Sequence, residues 1–300
     1  MTGLPLWAIG HLTVDDVVRA DGTTKMRQIG GAPVYSAAAA RMVGTPAGVV
    51  TAMAPALPEE VTAWMARERL PILNCGHTER YISQWALYEH TGQRVFVHHP
   101  DSAGLDEAAP DPRAWTSPPG SGWAHIAPMP VALQAEWLRT LTAQGVRVTL
   151  DPHEDSSTDE PERVLEMLPG LAAFLPSEQE AAAVFGADMY VAAERFVAAG
   201  ARLCVIKLGR DGCLVATPEE TWRVPSVAAD PVDVTGAGDA FCGAFAAALA
   251  SGADPEYAAR CGTVASSYTI EHFGVPSSRG GAPGDWAARM AKARPERCVA

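Results

Sequence analysis

The sequence lacks the short motifs that mark several large enzyme classes. No G-x-x-x-x-G-K-S/T sequence is present, so a Walker-type phosphate loop is not how this chain would bind ATP. The G-x-S-x-G elbow of hydrolases, the H-E-x-x-H pair of zinc enzymes and the G-x-G-x-x-G turn of dinucleotide enzymes are also missing. These absences argue against a hydrolase, a zinc enzyme and a dinucleotide-dependent enzyme.

Long apolar runs and paired cysteine spacings are absent as well. No run of about eighteen apolar residues occurs, and the N-terminus has no basic segment followed by a long apolar stretch. The six cysteines show neither Cys-x-x-Cys nor zinc-site spacing, and most lie in apolar runs, as buried free thiols do. We therefore predict a soluble cytoplasmic protein without disulfides.

Positive charge and asparagine are both scarce. The chain has 23 Lys and Arg against 35 Asp and Glu, a net charge of −12. This balance argues against non-specific binding to nucleic acid or to an anionic membrane, because both require clustered cations. A phosphate ligand remains compatible, since helix N-termini bind phosphate through backbone N–H groups. Asn74 is the single asparagine, so roles that asparagine plays elsewhere must fall to other residues.

What the sequence does contain is a repeated alternation of strand and helix patterns. Strands are predicted at residues 6–9, 47–52, 123–129 and 146–150, and helices at 59–70, 131–144, 258–271 and 285–292. This alternation is typical of an α/β fold with a doubly wound, mostly parallel sheet flanked by helices. Ligands of such sheets bind beyond the carboxyl ends of the strands.

Residues 230–252 carry the strongest functional signal. A polar, glycine-bearing turn leads directly into an alanine-rich helix. At the helix entrance, Gly236, Ala237 and Gly238 supply unpaired N–H groups and the positive end of the helix dipole, which together favour an anion. Asp239 follows in the first turn, and a base beside an anion site suits transfer of a charged group to a hydroxyl. The simpler interpretation is an aspartate that stabilises the helix N-terminus.

The sequence DVTGAGD at residues 233–239, followed by a small-residue helix, closely resembles the C-terminal signature of the ribokinase-like (PfkB) family of carbohydrate and nucleoside kinases. The resemblance implies one ribokinase-like domain over residues 1–300, with ATP as phosphoryl donor and Mg²⁺ at its phosphates. It implies that Asp239 is the general base and that Asp233 helps to bind a monovalent cation such as K⁺. It assigns the anion hole to three residues: Gly236, Ala237 and Gly238.

The N-terminal part resembles the acceptor-binding side of the family. Asp15 falls where a strand end delivers an aspartate to the acceptor hydroxyls, although an ordinary turn aspartate would look the same. Gly30 and Gly31 match the family's glycine pair, which packs against the substrate and hinges the lid. The family commonly has a sugar-binding asparagine where this chain has Tyr35, and a phenol cannot mimic an amide. Acceptor choice is therefore expected to differ at Tyr35.

Residues 80–88 and 94–99 alternate apolar and polar side chains around a short glycine-containing turn, which predicts a β-hairpin. In the family such a hairpin, with strands from about residues 11–29, forms a lid over the acceptor. We therefore expect a lid built from about 11–29 and 80–99. Because a hairpin with an apolar face is rarely stable alone, it should cover the site or pair with a second lid in a homodimer.

The nucleotide side is predicted from a strand–turn–strand pattern at residues 203–215 and from a helical segment at residues 265–274 that resembles the family's adenine pocket. Many relatives have threonine where this chain has Lys207. A lysine that ends an apolar strand there suits neutralisation of phosphate charge, the alternative being a solvent-exposed lysine. The predicted nucleotide-binding residues are Lys207, Gly209, Gly212 and Ser266.

Ser177-x-x-Glu180 resembles the family's asparagine-x-x-glutamate motif, with serine in place of asparagine. The resemblance implies that Glu180 helps to order Mg²⁺ and its waters, a role that suits a carboxylate. The same spacing also predicts a helix capping box, and both roles are compatible.

Together these features predict an ATP-dependent phosphotransferase that acts on an alcohol group of a small sugar or polyol. A nucleoside kinase is an alternative that the sequence separates poorly. A catalytically silent kinase-fold protein that binds a metabolite is a second alternative. The missing asparagines at positions 35 and 177 would suit such decay, whereas the intact Asp239 and its glycines argue against it.

Overall fold

Two β-sheets form the framework of the protein. The computed structural model describes residues 5–89, 94–118 and 120–297, so the predicted hairpin turn at residues 90–93 lies outside the described residues. The strands are β1 Leu6–Ile9, β2 Thr13–Val18, β3 Thr24–Gly30, β4 Ala47–Met53, β5 Ile72–His77, β6 Ile82–Tyr88, β7 Arg94–His98, β8 Trp123–Ile126, β9 Arg147–Leu150, β10 Ala173–Phe174, β11 Cys204–Lys207, β12 Cys213–Ala216, β13 Thr221–Val224 and β14 Glu296–Arg297. The helices are α1 Ala32–Met42, α2 Glu59–Glu68, α3 Val131–Thr142, α4 Glu154–Asp159, α5 Pro161–Met167, α6 Glu178–Phe185, α7 Met189–Ala198, α8 Ala237–Ala250, α9 Pro255–Thr269 and α10 Trp286–Lys292.

The large sheet has the strand order β14-β13-β12-β11-β10-β9-β8-β1-β4-β5. In this sheet β5, β4, β1, β8, β9, β10 and β11 pair in parallel, each with the next in that order. The strands β11, β12, β13 and β14 pair antiparallel at one edge. All four residues of β1 are buried, as expected for a strand covered on both faces. The predicted doubly wound, mostly parallel sheet is confirmed.

The strand order reverses at β1, which pairs with β4 on one side and with β8 on the other. Helix α1 packs on β1 and β4, and helix α8 packs on β1 and β8. Gly10 follows β1 directly, and a Cβ there would lie 3.1 Å from Pro33 in the first turn of α1. The start of α1 therefore lies at the carboxyl end of β1, where open α/β sheets bind ligands.

Helices α1 and α8 pack so closely that only small residues fit between them. A Cβ on Gly243 would lie 2.0 Å from the Ser36 carbonyl oxygen. The Ser36 hydroxyl donates a hydrogen bond of 2.9 Å to the main-chain carbonyl of Asp239. The alanine-rich composition of both helices thus allows a close contact that fixes the first turn of α8.

The second, smaller sheet has the order β3-β2-β6-β7. Its β6–β7 pair is the predicted hairpin, and β2 and β3 come from the predicted strand region at residues 11–29. Side chains alternate across the sheet, so Gln84 and Tyr88 share one face while Trp85 and Leu87 lie on the other. No helix among the described residues is both long enough and apolar enough to cross a membrane.

Candidate active site

The N-terminus of α8 is set by Gly236, which adopts a left-handed φ of 75°. This conformation is natural for glycine and costly for other residues. The Ala237 N–H makes a long bond of 3.3 Å to the Val234 carbonyl, and the Gly236 carbonyl receives the Ala240 N–H at 2.8 Å. The Ala237 N–H, which was predicted to be unpaired, therefore has a weak partner within the turn, and the half-buried Asp239 follows two residues later.

A cavity of about 540 Å³ lies beside this helix end. All four predicted nucleotide-binding residues line it, together with two residues of the predicted anion hole: Lys207, Gly209, Gly212, Ser266, Ala237 and Gly238. The Ser266 hydroxyl donates a hydrogen bond of 2.7 Å to the Ala237 carbonyl. Val227, Phe241 and Ile270 give the cavity an apolar wall. Its size and its mixed lining suit a nucleotide.

Gly212 shapes the cavity at the turn between β11 and β12. Its φ is 88°, and a Cβ there would lie 2.0 Å from the Val224 carbonyl oxygen. Glycine is therefore required on steric grounds. Gly209, in the same turn, has a φ of 55°, and nothing lies within 4 Å of an added Cβ there.

Lys207 is not solvent-exposed, because its side chain is only 12% accessible. Its Nζ lies 2.5 Å from Asp151 Oδ2 and 3.6 Å from Cys242 Sγ. Burial alone lowers the pKa of Lys207, but the Asp151 carboxylate outweighs it and raises that pKa above its ordinary value. A Cβ on Gly238 would lie 3.8 Å from Nζ, so the Lys207 ammonium, paired with Asp151, lies next to the N-terminus of α8.

The sequence did not assign chemistry to Asp151. The signal that was available is its position, because Asp151 directly follows β9 at the carboxyl edge of the sheet. Its pairing with Lys207 on β11 depends on the order of the strands, in which β10 lies between β9 and β11.

The acceptor side is built around Asp15 on β2, which is 4% exposed. Gln84 on β6 donates to Asp15 Oδ1 at 3.1 Å. A Cβ on Gly30 would lie 2.0 Å from Asp15 Oδ2, and a Cβ on Gly31, whose φ is 98°, would lie 2.2 Å from the His11 carbonyl oxygen. Gly30 therefore makes room for the Asp15 carboxylate, and Gly31 makes room for the His11 carbonyl at the entrance to α1.

Tyr35 lies between the predicted acceptor side, around Asp15, and the predicted transfer side, at the N-terminus of α8. It is 3% exposed, and a Cβ on Gly236 would lie 2.2 Å from its Cδ1 atom. Burial raises the pKa of Tyr35 well above its ordinary value, and the charges of Asp15, Asp233 and Asp239 raise it further. The phenol is therefore neutral and is surrounded by the carboxylates of both sides.

Asp233 is buried, and its carboxylate accepts hydrogen bonds from three donors. The Thr235 N–H reaches Oδ1 at 2.8 Å, and the Gly274 N–H reaches Oδ2 at 3.3 Å. The hydroxyl of Tyr88, at the end of β6, also donates to Oδ1. Tyr88 was not predicted as a site residue, and its place in the alternating hairpin pattern was the only sequence signal for it.

Glu180 forms the predicted capping box with Ser177. Its Oε2 accepts the Ser177 N–H at 2.6 Å, and its own N–H donates to the Ser177 hydroxyl at 3.2 Å. Glu180 is not among the residues that line the 540 Å³ cavity, but its charge acts on both Asp151 and Lys207. It therefore lies near the Asp151–Lys207 ion pair.

No group of three or more His, Cys, Asp or Glu residues that could hold a metal ion is present in the described part of the chain. Mg²⁺ often keeps several waters and binds through substrate phosphates rather than in an all-protein cage. A magnesium ion here would accordingly be held mainly by nucleotide phosphates, with Glu180 as an outer partner.

The model of the family described as "pfkB family carbohydrate kinase" matches residues 27–279. An uncharacterised sugar kinase from Archaeoglobus fulgidus is 33% identical over 124 residues, which cover 41% of this chain and 48% of that protein. The chain thus spans about half the length of this relative. A cytidine kinase from Thermococcus kodakarensis is 27% identical over 282 residues, which cover 90% of this chain and 98% of that protein.

A similar fold is present in a double-mutant fructokinase from Vibrio cholerae O395, solved with fructose, ADP and potassium ion bound. The TM-score is 0.76 at 18% identity, over 97% of this chain and 99% of the fructokinase. Identity at this level supports a shared fold and nothing finer. With the family model covering most of the sequence, the conclusion is that this chain belongs to the pfkB family of carbohydrate kinases.

Proposed function

We propose that this protein is an ATP-dependent phosphotransferase that phosphorylates an alcohol group of a small sugar or polyol. One observation carries the proposal. Asp239 lies in the first turn of α8, directly beside a cavity of nucleotide size that Ala237, Gly238 and Lys207 line. A base, an oriented set of N–H donors and a cation are the groups that phosphoryl transfer requires.

In this mechanism the Asp239 carboxylate accepts the proton of the acceptor hydroxyl. The acceptor oxygen forms a bond to the γ-phosphorus of ATP as the bond to the β,γ-bridging oxygen breaks, and ADP leaves. N–H groups at the helix end and the Lys207 ammonium stabilise the charge on the transferring group. Glu180 would help to hold the waters of a magnesium ion, which would supply positive charge at the ATP phosphates.

The acceptor is expected to be uncharged. The phenol of Tyr35 lies within the influence of three carboxylates, those of Asp15, Asp233 and Asp239. An acceptor that already carries a phosphate would be repelled from this region. A neutral polyhydroxyl compound meets no such repulsion and can donate hydroxyl hydrogen bonds to Asp15.

A nucleoside acceptor is a second candidate, supported by the cytidine kinase that aligns over nearly its whole length. The buried ring of Tyr35 would offer a base or a sugar ring an aromatic surface. A silent metabolite-binding protein is disfavoured, since Asp239 and the left-handed Gly236 are both in place.

The small sheet is proposed as the lid over the acceptor, since it carries the buried Asp15 and since Tyr88 reaches from it to Asp233 in the turn before α8. Its opposite face exposes Leu87, Val95 and Val97, which we propose to pair with the same face of a second copy.

The described cysteines are all buried free thiols, which suits a protein of the reducing cytoplasm.

The test is an acceptor panel assayed with ATP and Mg²⁺ for ADP formation and for the phosphorylated product. The panel pairs each neutral compound with its phosphate, such as fructose with fructose 6-phosphate, and includes inositol and cytidine. Turnover of a neutral member at a kcat above 1 s⁻¹, on the order of ordinary enzymes, would support the proposal. Absence of product from every member, in a folded protein that binds ATP, would favour the silent alternative.

A further inference from the structure

Tyr88 joins the small sheet to the loop that precedes α8. It is the last residue of β6, and its hydroxyl donates to Asp233 Oδ1 and lies 2.8 Å from Thr235 Oγ1. Both partners are buried residues of the turn that leads to Gly236. A side chain of the small sheet thus makes two polar contacts directly next to the anion hole.

The Asp233 carboxylate already has the hydrogen bonds that a buried charge needs. Oδ1 receives the Tyr88 hydroxyl and the Thr235 N–H, and Oδ2 receives the Gly274 N–H. An ionised carboxylate has about four acceptor positions, so both positions on Oδ1 are taken. A monovalent cation does not fit at Oδ1 while Tyr88 is in place. In the described part of the chain, Asp233 makes no ion pair with a basic side chain.

We propose that Tyr88 is a positioning residue for phosphoryl transfer and that its hydroxyl occupies, at Asp233 Oδ1, the position that a monovalent cation would take. The hydroxyl fixes the carboxylate, and the carboxylate fixes the Thr235 N–H one residue before Gly236. The left-handed turn at Gly236 then directs the N–H groups of the helix end. The proposal rests on the proposed function for its kinetic consequence, but the contacts themselves do not depend on it.

Within the small sheet, Gln84, four residues before Tyr88 on β6, donates to Asp15 on the neighbouring strand β2 at 3.1 Å. Strand β6 therefore links the acceptor carboxylate to the anion-hole turn.

The experiment compares Tyr88→Phe with Tyr81→Phe, a matched loss of one hydroxyl directly before β6, in potassium and in tetramethylammonium salts. Loss of a hydrogen bond to a charged group should lower the kcat of Tyr88→Phe by on the order of ten- to a hundredfold, with KM values changed less than about threefold. The kcat of wild type should be the same in the two salts, and so should the kcat of Tyr81→Phe. Potassium should restore part of the activity of Tyr88→Phe alone.

Thermal unfolding gives a second readout that needs no turnover, because a cation that binds only the folded protein raises Tm. Wild-type Tm should be the same in both salts, whereas potassium should raise the Tm of Tyr88→Phe. If potassium raises wild-type Tm and its removal abolishes wild-type activity, Asp233 binds a cation with Tyr88 in place and the proposal is wrong. It is also wrong if Tyr88→Phe matches Tyr81→Phe in kcat and Tm. Lack of any kinase activity would refute the proposed function, and the Tm comparison would still decide the role of Tyr88.

Discussion

The ring of Tyr35 lies against the backbone of Gly236, so closely that a Cβ on the glycine would be 2.2 Å from Cδ1 of the tyrosine. Tyr35 belongs to α1, on the proposed acceptor side, and Gly236 precedes the first residue of α8, on the proposed transfer side. The two sides of the site are therefore in direct contact through one aromatic ring. A change in either residue should affect both acceptor binding and the anion hole.

Gly236→Ala should lower kcat by on the order of a hundredfold or more, because the new methyl group must displace the Tyr35 ring and distort the helix end. The matched control is Gly252→Ala. Gly252 has a similar φ of 86°, but nothing lies within 4 Å of its added Cβ. That control should lose about 1–2 kcal/mol of unfolding free energy from the left-handed backbone and keep its kcat. Equal kcat values for the two variants would show that the contact with Tyr35 has no catalytic importance.

Tyr35→Phe keeps the ring against Gly236 and removes only the hydroxyl. An acceptor held by that hydroxyl should lose about 0.5–1.5 kcal/mol of binding, seen mainly as a higher KM. Tyr35→Asn restores the commoner family residue but removes the ring, so it should shift acceptor ranking and also lower kcat. Steady-state kinetics over the acceptor panel would measure both effects. An unchanged ranking in both variants would place acceptor choice at Asp15 and the lid.

Asp239→Asn should lower kcat by a factor on the order of 10² to 10⁴, the usual contribution of a general base. Because the amide keeps the size of the side chain, the fold and ATP binding should be retained. Calorimetric titration with ATP and a thermal melt provide those controls. Turnover close to that of the wild type in a well-folded Asp239→Asn protein would exclude Asp239 as the base.

His125 should make the protein sensitive to acid. It is fully buried on β8, with Nδ1 3.0 Å from Thr149 Oγ1, and burial, aided by the charge of Lys207, lowers its pKa to about 3. The unfolded chain binds a proton near pH 6.5, so the stabilisation is complete above that pH and decreases as pH falls toward 3. Between pH 7 and pH 5 the loss should be about 2 kcal/mol.

Denaturant unfolding of His125→Gln at several pH values would measure this loss. The variant should be less stable than wild type at pH 7 but should have a flatter dependence on pH. His77→Gln is the control, since the His77 side chain is 74% exposed. A wild-type pH dependence that persists in His125→Gln would assign the acid sensitivity to other groups.

Val97→Lys on the outer face of the small sheet should convert a dimer to monomers if that face pairs with a second copy. Val97 lies opposite Trp85 in the β6–β7 ladder and is 41% exposed. Two symmetry-related lysines at a buried apolar interface would repel each other and lose hydration. Sedimentation velocity would detect the change, with Val191→Lys as a control at an exposed apolar residue on α7. A wild-type protein that sediments as a monomer would contradict the proposed pairing.

Local sequence patterns were enough to predict the main strands and helices and the glycine-rich turn before α8. Alternation of apolar runs predicted the parallel sheet, and the hairpin pattern predicted β6 and β7, because periodicity is a local property of the chain. The glycine-rich turn before α8 was also readable, since a left-handed Gly236 followed by Asp239 at a helix start depends only on neighbouring residues.

Contacts between residues distant in the chain were decided only by the tertiary structure. The ion pair between Lys207 and Asp151 could not be predicted from the sequence, because it depends on the order of the strands across the sheet. Tyr88 could not be assigned to Asp233, because 145 positions separate them and a hairpin pattern does not specify what its ends touch. Periodicity encodes which face of an element is buried, whereas the partner of each side chain follows from how the elements pack.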